Sequence, residues 1–189
     1  MAGRALSFEP QFRFGLDGKP WSFLFWWRYR LLEGRRLHVG VGAHPAIVFR
    51  TTTVASGGTQ RDVIEARRYL AGEIQPSYAL SPHAAVGTYY LFSYGLEQNV
   101  AKHTHFLALR ANVTTGELPA GVVVRFGPQA YYLRTDRRDG SYVNAALTVS
   151  RRNFPLSISA MMNRTVRSDI VGEDFLWNVS LMYAFQLGR

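Results

Sequence analysis

Histidine is the side chain of this sequence best suited to acid–base or metal chemistry, because the chain has no cysteine. His103 and His105 open a predicted strand at the rim of the fold, where a hydrolase could hold its site. A catalytic imidazole needs an oriented carboxylate or a nucleophile within hydrogen-bond reach, and the spacing places neither beside this pair. We therefore expect no enzyme, with a hydrolase that uses His103 or His105 as the minor alternative.

No motif supplies further chemistry. His38 and His44 share one face of a predicted strand, but no cluster of carboxylates accompanies them. Hydrogen bonding inside the fold is therefore favoured over metal ligation. The sequence has no HEXXH or GxSxG motif and no glycine loop of the phosphate-binding type. We predict neither a metal site nor a cofactor.

The net charge of +9 comes almost wholly from arginine, since Lys19 and Lys102 are the only lysines. Nucleic-acid binding is the usual interpretation of so basic a chain. However, the sequence has no helix-turn-helix pattern and no RNP-like stretch. Arginine forms planar, bidentate pairs with carboxylates and phosphates and tolerates partial burial. We predict scattered charges on one side of a sheet and no nucleic-acid partner.

The elements that position these residues are strands. Residues 5–16 alternate large apolar side chains with polar ones, so a strand here has one apolar and one polar face. About ten such segments follow one another, each bounded by turn residues. No linker or repeat separates them, so residues 1–189 are predicted to form one domain. The predicted bounds are 5–16, 21–32, 37–49, 64–80, 85–96, 104–114, 122–134, 142–150, 155–164 and 174–185.

Two architectures fit this alternation: a barrel in lipid with a polar interior, or a soluble, lipocalin-like barrel that carries an apolar ligand. The first strand lacks the G-x-W triplet familiar from lipocalins. The segments are close to the roughly 9–11 residues of a tilted membrane-spanning strand. With both termini in the periplasm, the outer connections are mostly the longer ones, above all the predicted loop 50–63, as in outer-membrane barrels.

The aromatic residues that share the apolar face of the predicted strands also favour a barrel whose outer surface contacts lipid. They sort into two groups, one near each end of the strands, as amphipathic rings do at the two interfaces of a bilayer. The predicted membrane-interface aromatics are Trp21, Phe23, Tyr29, Tyr78, Tyr94, Tyr132, Trp177 and Tyr183.

The polar parity would then line a narrow interior, in which glycines such as Gly40 and Gly42 leave room for bulky charges. Arginines outnumber acids, so a continuous channel would favour anions, whereas interdigitated side chains would fill it. The predicted lumen-lining residues are Glu9, Arg13, Arg28, Arg30, His38, His44, Glu73, Arg110 and Arg125.

The closing run FLWNVSLMYAF resembles the C-terminal strand of Gram-negative outer-membrane barrels, in which alternating apolar residues end in an aromatic residue that the assembly machinery recognises. The stretch SRRNFPLSISAMMN resembles a periplasmic turn of such barrels. The resemblance implies an all-β, transmembrane, antiparallel up-and-down barrel of about ten strands in the outer membrane. It implies no catalytic residue.

We therefore predict a small, non-enzymatic outer-membrane barrel that serves as a structural or partner-binding component or as a narrow, anion-leaning pore. A protein partner could bind through the loop 50–63, where Gly57 and Gly58 indicate mobility. Outer-membrane lipid and lipopolysaccharide are the other expected partners. Lipopolysaccharide phosphates would pair with arginines predicted in the outer loops, namely Arg137, Arg138, Arg164 and Arg167.

Four prolines lie within predicted strands and remove backbone donors there. Each requires a bulge or a locally interrupted ladder, because a closed barrel has no edge to accommodate it. They are Pro10, Pro45, Pro76 and Pro128.

Overall fold

A computed structural model of the chain describes residues 5–15, 17–56 and 59–183. Ten antiparallel strands follow one another in one sheet, in the order β1 to β10, which confirms the up-and-down arrangement. No helix within these ranges has the length and apolar character needed to cross a membrane. The strands are β1 (Leu6–Phe14), β2 (Pro20–Glu33), β3 (Leu37–Ser56), β4 (Thr59–Ser81), β5 (Ala84–Gly95), β6 (His103–Thr114), β7 (Val122–Thr135), β8 (Arg138–Arg151), β9 (Leu156–Ser168) and β10 (Phe175–Tyr183).

The strand register separates the side chains into two faces, which we call the charged face and the apolar face. Arg28 lies opposite Gly42, and Gly42 lies opposite Glu73, so the two charged residues are on the same side of the sheet. Phe12 and Leu181, on the other side, are 56% and 69% exposed. The soluble alternative requires such side chains to meet in an enclosed core, and these two side chains do not.

The sheet has two ends. The terminal end carries the first residues of β1, the last residues of β10 and the connections 34–36, 82–83, 115–121 and 152–155. The hairpin end carries the connections 15–19, 96–102, 136–137 and 169–174, together with the β3–β4 turn. The described connections have 5, 7, 2 and 6 residues at the hairpin end and 3, 2, 7 and 4 at the terminal end, so the predicted excess of loop length at the hairpin end is small.

Segment 50–63 is not a loop, which corrects the prediction. β3 continues to Ser56 and β4 begins at Thr59, and the two strands remain paired along this whole length. The last described β2–β3 pair involves Val48 and the first β4–β5 pair involves Tyr69. The hairpin 49–68 therefore extends beyond its neighbours by about 25 Å, at about 3.3 Å per residue. Gly57 and Gly58, where mobility was predicted, lie outside the described residues.

Three of the strand prolines lie where a ladder is interrupted, as predicted. Backbone alternation directs the nitrogens of Pro45, Pro76 and Pro128 toward β2, β5 and β6, respectively. The described pairing with each of those strands is interrupted for two successive residue pairs. The gaps are 44–45 with 25–26 in β2, 75–76 with 88–89 in β5, and 127–128 with 111–112 in β6. The missing donors therefore fall where no pair forms.

Pro10 lies in the first strand and points its nitrogen to the open side. The Arg30 amide donates to the Ala5 carbonyl at 2.8 Å, so alternate residues of β1 bond to β2 and Pro10 is not one of them. Among the described residues no backbone ladder joins β1 to β10. All nine residues of β10 are exposed, because this strand has a neighbour on one side only.

Candidate functional site

The centre of the charged face is the carboxylate of Glu73, whose side chain is fully enclosed. The Nε of Arg28 donates to one carboxylate oxygen at 2.7 Å, and the Tyr89 hydroxyl donates to the other at 2.5 Å. The Nη1 of Arg28 also donates to Glu9 at 2.7 Å. These contacts connect β1, β2, β4 and β5, so the enclosed negative charge is neutralised where it lies.

Gly42 makes this ion pair possible. It lies on β3 between Arg28 and Glu73, which must reach across it to meet. A Cβ atom at Gly42 would lie 2.8 Å from Oε1 of Glu73 and 3.0 Å from the Trp27 carbonyl oxygen. The first distance is shorter than real Cβ contacts and the second is at their lower limit, so a side chain here would push the carboxylate away from Arg28.

Trp26 and His44 form one wall of the site. Both are buried, their ring centroids are 3.7 Å apart, and the guanidinium of Arg28 lies 4.3 Å from the Trp26 centroid. Among the described residues neither Trp26 Nε1 nor His44 Nδ1 has a hydrogen-bond partner. His44 therefore contributes ring packing here, and its Nδ1 makes none of the hydrogen bonds that the sequence led us to expect.

Aromatic rings continue the charged face toward β8. Tyr89, Phe106, Tyr131 and Tyr142 form a row with successive centroid distances of 5.8, 5.1 and 4.8 Å. The Tyr131 hydroxyl donates to Asn163 at 2.9 Å. These large rings pack against one another and cover this part of the charged face.

The remaining arginines of this face have weaker partners. Arg110 donates to Gln75 at 3.2 Å, its guanidinium lies 5.5 Å from the Tyr89 ring, and Arg30 pairs with the exposed Glu33 at 3.1 Å. Two adjoining cavities of about 360 and 200 Å³ lie beside Arg30 and Gln75. This part of the charged face is the open, basic part.

All nine residues predicted to line a lumen lie on the charged face. The structure brings three of them, Glu9, Arg28 and Glu73, into direct contact. His38 lies opposite Ser77, and Arg125 lies opposite Thr148, far from the ion pair. The described residues include no group of His, Asp and Glu suited to a metal ion.

His103 and His105 lie on the apolar face, packed against aromatic rings. The Nδ1 of His105 is 2.9 Å from the Tyr90 hydroxyl, and the His103 ring stacks on Phe92 at 5.9 Å. The nearby carboxylate of Asp136 accepts the backbone amide of His103 instead of its imidazole, at 2.8 Å. These contacts anchor a strand end, and the described geometry supplies no oriented carboxylate for catalysis.

Two carboxylates fasten the connections at the hairpin end. Glu97 accepts the Arg68 side chain at 2.6 Å and the Arg68 amide at 2.9 Å, and the Arg68 side chain lowers the pKa of Glu97 from its ordinary value of 4.5. Backbone amides, that of His103 first, lower the pKa of Asp136 from 3.8. Glu65 also accepts from Asn99, which joins the hairpin 49–68 to the β5–β6 connection.

The predicted rim arginines are placed differently from the prediction. Arg137 lies in the two-residue turn, but Arg138 begins β8, and Arg164 and Arg167 lie within β9. The prediction that all four occupy loops is wrong for these three. The strands simply continue beyond their apolar segments, because paired backbone is stable in water as well as in lipid.

The predicted interface aromatics all follow the parity of the apolar face and lie near the strand ends. Toward the hairpin end are Trp21, Phe23, Tyr94, Tyr132 and Trp177. Toward the terminal end are Tyr29, Tyr78 and Tyr183. Phe23 packs against Phe12 and Phe49 at 5.2 and 4.9 Å. The terminal aromatic of the C-terminal motif, Phe185, lies outside the described residues.

Sequence reasoning missed several residues of the site. Parity placed Trp27 on the apolar face, as the register has it, but the role of Trp26 beside Arg28 was not recognised, because a large apolar ring interrupts the alternation there. The parity of Tyr89 and Tyr131 already placed them on the charged face, but apolar rings there had no evident role. The parity of Gln75 also placed it on the charged face, whereas Phe106 and Asn163 gave no signal.

We expect Arg28→Leu to destabilise the folded protein by about 3 kcal/mol, because it leaves the enclosed Glu73 carboxylate without its cation. Arg28→Leu combined with Glu73→Leu should recover much of this loss. Urea unfolding in detergent, followed by tryptophan fluorescence, measures both. Two losses that simply add would show that the residues do not interact.

Because their folded-state pKa values are lowered, Glu97 and Asp136 stabilise the connections at pH above their ordinary values of 4.5 and 3.8. This contribution is lost as the pH falls below those values toward the lower folded-state ones. We expect amide hydrogen exchange in 96–102, normalised to Glu97→Gln at each pH, to show protection at pH 6 that disappears near pH 3. A ratio independent of pH would contradict this account.

No protein-family model matches the chain, and no curated protein matches it in sequence. The fold has the architecture of an outer-membrane β-barrel protein, which confirms the resemblance at that level. The chain is similar in structure to OmpT (in-vitro folded), an outer membrane protein of Vibrio cholerae. The TM-score is 0.56 at 12% identity, covering 97% of this chain and 62% of that chain. The chain therefore spans less than two thirds of that protein, and the likeness concerns the fold alone.

Proposed function

We propose that the chain forms a small barrel in the Gram-negative outer membrane, without a catalytic role, as a membrane-anchored structural and partner-binding component. The observation that carries this proposal is the sidedness of the sheet. One face gathers an enclosed ion pair, and the other exposes large apolar side chains along every strand. Lipid is the solvent in which such an exposed face is favourable.

Lipid also requires the sheet to close. Unpaired backbone groups in the hydrocarbon region cost several kcal/mol each, so β1 and β10 must find partners. With ten alternating strands the two edges are antiparallel and can pair with each other. We propose that they do so in the membrane.

The observed registers indicate how the edges would pair. If one follows the cross-strand partner of Glu9 from strand to strand, the partners move toward the hairpin end and pass the end of β10. To close the barrel, β1 must therefore pair with β10 at a shifted register, that is, with a stagger. A stagger of about twelve residues gives a strand tilt of about 40°, within the usual range. It places Gln11 opposite Ser180 on the charged face and Phe12 opposite Val179 on the apolar face. Pro10 then opposes Leu181, where one donor is missing.

Cysteines introduced as Gln11→Cys and Ser180→Cys should form a disulfide in the folded, vesicle-inserted protein, because the proposed register makes them directly opposite. The chain has no native cysteine to compete. Gln11→Cys with Leu176→Cys is the matched control, since four residues of offset exceed disulfide reach. Efficient crosslinking of the control, or none of the first pair, would refute this register.

The charged face supports a filled interior over a pore. Glu9, Arg28, Glu73 and Tyr89 form a connected group of hydrogen bonds, and the ring row fills the neighbouring space. The second candidate, a narrow anion-leaning pore, is favoured by Arg30 and Arg110, which lie beside the two cavities.

We expect planar bilayers containing the wild-type protein to show no channel activity. Arg28→Ser with Glu73→Ser should introduce small openings, because it removes the central group. Arg152→Ser with Glu117→Ser removes an exposed ion pair of similar geometry, 2.9 Å, and should stay silent. Anion-selective conductance of the wild type would instead establish the pore and refute the filled interior.

We also propose that a protein partner contacts the hairpin 49–68. It projects from the sheet at the end that would face the exterior, and Val63 and Ile64 are exposed on it. Glu65 and Arg68 hold its base to the β5–β6 connection. A two-stranded arm fixed at its base presents a defined surface at little entropic cost.

A further inference from the structure

The apolar face of β7 to β10 contains a groove of about 550 Å³. Its floor is formed at Ala145 and Ala160, which are small residues next to large ones. Ala145 lies opposite Met162, and Ala160 lies opposite Leu147 and Val179. Phe126, Phe175 and Trp177 also line the groove. A linear apolar chain fits such a depression, because the alanines leave room that the side walls enclose.

Arginines stand at the hairpin end of this groove. Arg164 follows Met162 by two residues on β9 and lies opposite Val143 and Phe175, so it shares the apolar face. Arg167 lies opposite Ser141 and is three residues nearer the hairpin end of β9 than Arg164. Both side chains are exposed, and no ion pair is described for either within the residues that the structure covers.

A third cation lies close by. Arg134, on the same face of β7, donates to the Asp136 carbonyl at 3.2 Å and keeps its Nη groups available for other acceptors. The neighbouring carboxylate, Asp139, accepts the Tyr132 hydroxyl at 3.1 Å. The apolar groove thus ends in a group of guanidinium side chains, which suits a ligand with acyl chains and phosphates.

We infer that this sector of the barrel binds one lipopolysaccharide molecule, with an acyl chain in the groove and a phosphate at Arg164 and Arg167. The inference rests on the proposed function, in which the hairpin end faces the outer leaflet. The proposed site is more specific than a basic rim, because it lies on β7 to β10 alone and includes a groove for an acyl chain. Arg138, by contrast, lies on the charged face, opposite Thr135.

The charge of the arginines and the shape of the groove together indicate lipopolysaccharide as the ligand. Several guanidinium groups within one rim sector match a lipid that carries more than one phosphate better than one that carries a single phosphate. Burial of an acyl chain contributes about 0.8 kcal/mol per CH₂ only relative to water. In lipid or detergent the groove therefore contributes shape, and the arginines provide the preference for a phosphorylated lipid.

Native mass spectrometry of the detergent-folded protein with purified lipopolysaccharide tests this site, with phosphatidylglycerol as the second probe. We expect one tightly retained lipopolysaccharide per wild-type chain. Arg164→Gln with Arg167→Gln should reduce retention at least tenfold, and Ala160→Leu, which fills the groove, at least fivefold. Ala145→Leu serves as the second groove variant if Ala160→Leu does not fold.

The matched controls are Arg35→Gln with Arg36→Gln, at the terminal end, and Ala43→Leu, an exposed alanine on the apolar face of β3. Both should retain lipopolysaccharide as the wild type does. Equal retention by all variants, or retention of phosphatidylglycerol alone with the same residue dependence, would overturn the inference.

Vesicle insertion, measured separately by protease protection, distinguishes failure of the lipopolysaccharide site from failure of the proposed membrane function. A protein that inserts but binds lipopolysaccharide without dependence on these residues refutes only the site. A protein that stays soluble without detergent and does not insert refutes the proposed function itself.

Discussion

The ion pair between Arg28 and the enclosed carboxylate of Glu73 defines which side of the sheet would face inward in the proposed barrel. A carboxylate without solvent is tolerable only next to a cation and hydrogen-bond donors, and Arg28 and Tyr89 supply both. Gly42 provides the space between them. Because side chains alternate strictly along each strand, fixing this one face inward directs every neighbouring apolar residue outward. The proposed location of the protein in lipid thus rests on a local electrostatic requirement.

The backbone imposes the second constraint. Within lipid the prolines must lie where no ladder donor is needed, and three of them lie at interruptions between neighbouring strands. The fourth, Pro10, points to the open side of β1, so closure against β10 would lack only one donor there. In the proposed topology the hairpin 49–68 lies outside the membrane, where this constraint does not apply, and it continues as two strands with no third neighbour.

The alternation of residue types in the sequence was sufficient to assign the predicted lumen-lining residues to one face of the sheet, because a strand has a two-residue period. All nine predicted lumen-lining residues, seven of them charged, share one face for this reason. It could not identify 50–63 as strand, since Thr51 to Thr53 are polar on both parities and an exposed hairpin needs no apolar face. Parity separated Trp27 from Trp26, but it could not show that Trp26 packs against Arg28 and His44. The contact of Arg28 with Glu73 spans a third strand and leaves no local trace.

Trp26 and Trp27 test the sidedness most directly, because they are neighbours on opposite faces and Trp27 is 47% exposed whereas Trp26 is buried. Two variants that each keep one of them, with the other three tryptophans changed to phenylalanine, would be folded into vesicles with brominated acyl chains. The account predicts strong quenching of Trp27 fluorescence and weak quenching of Trp26. Equal quenching, or stronger quenching of Trp26, would contradict it.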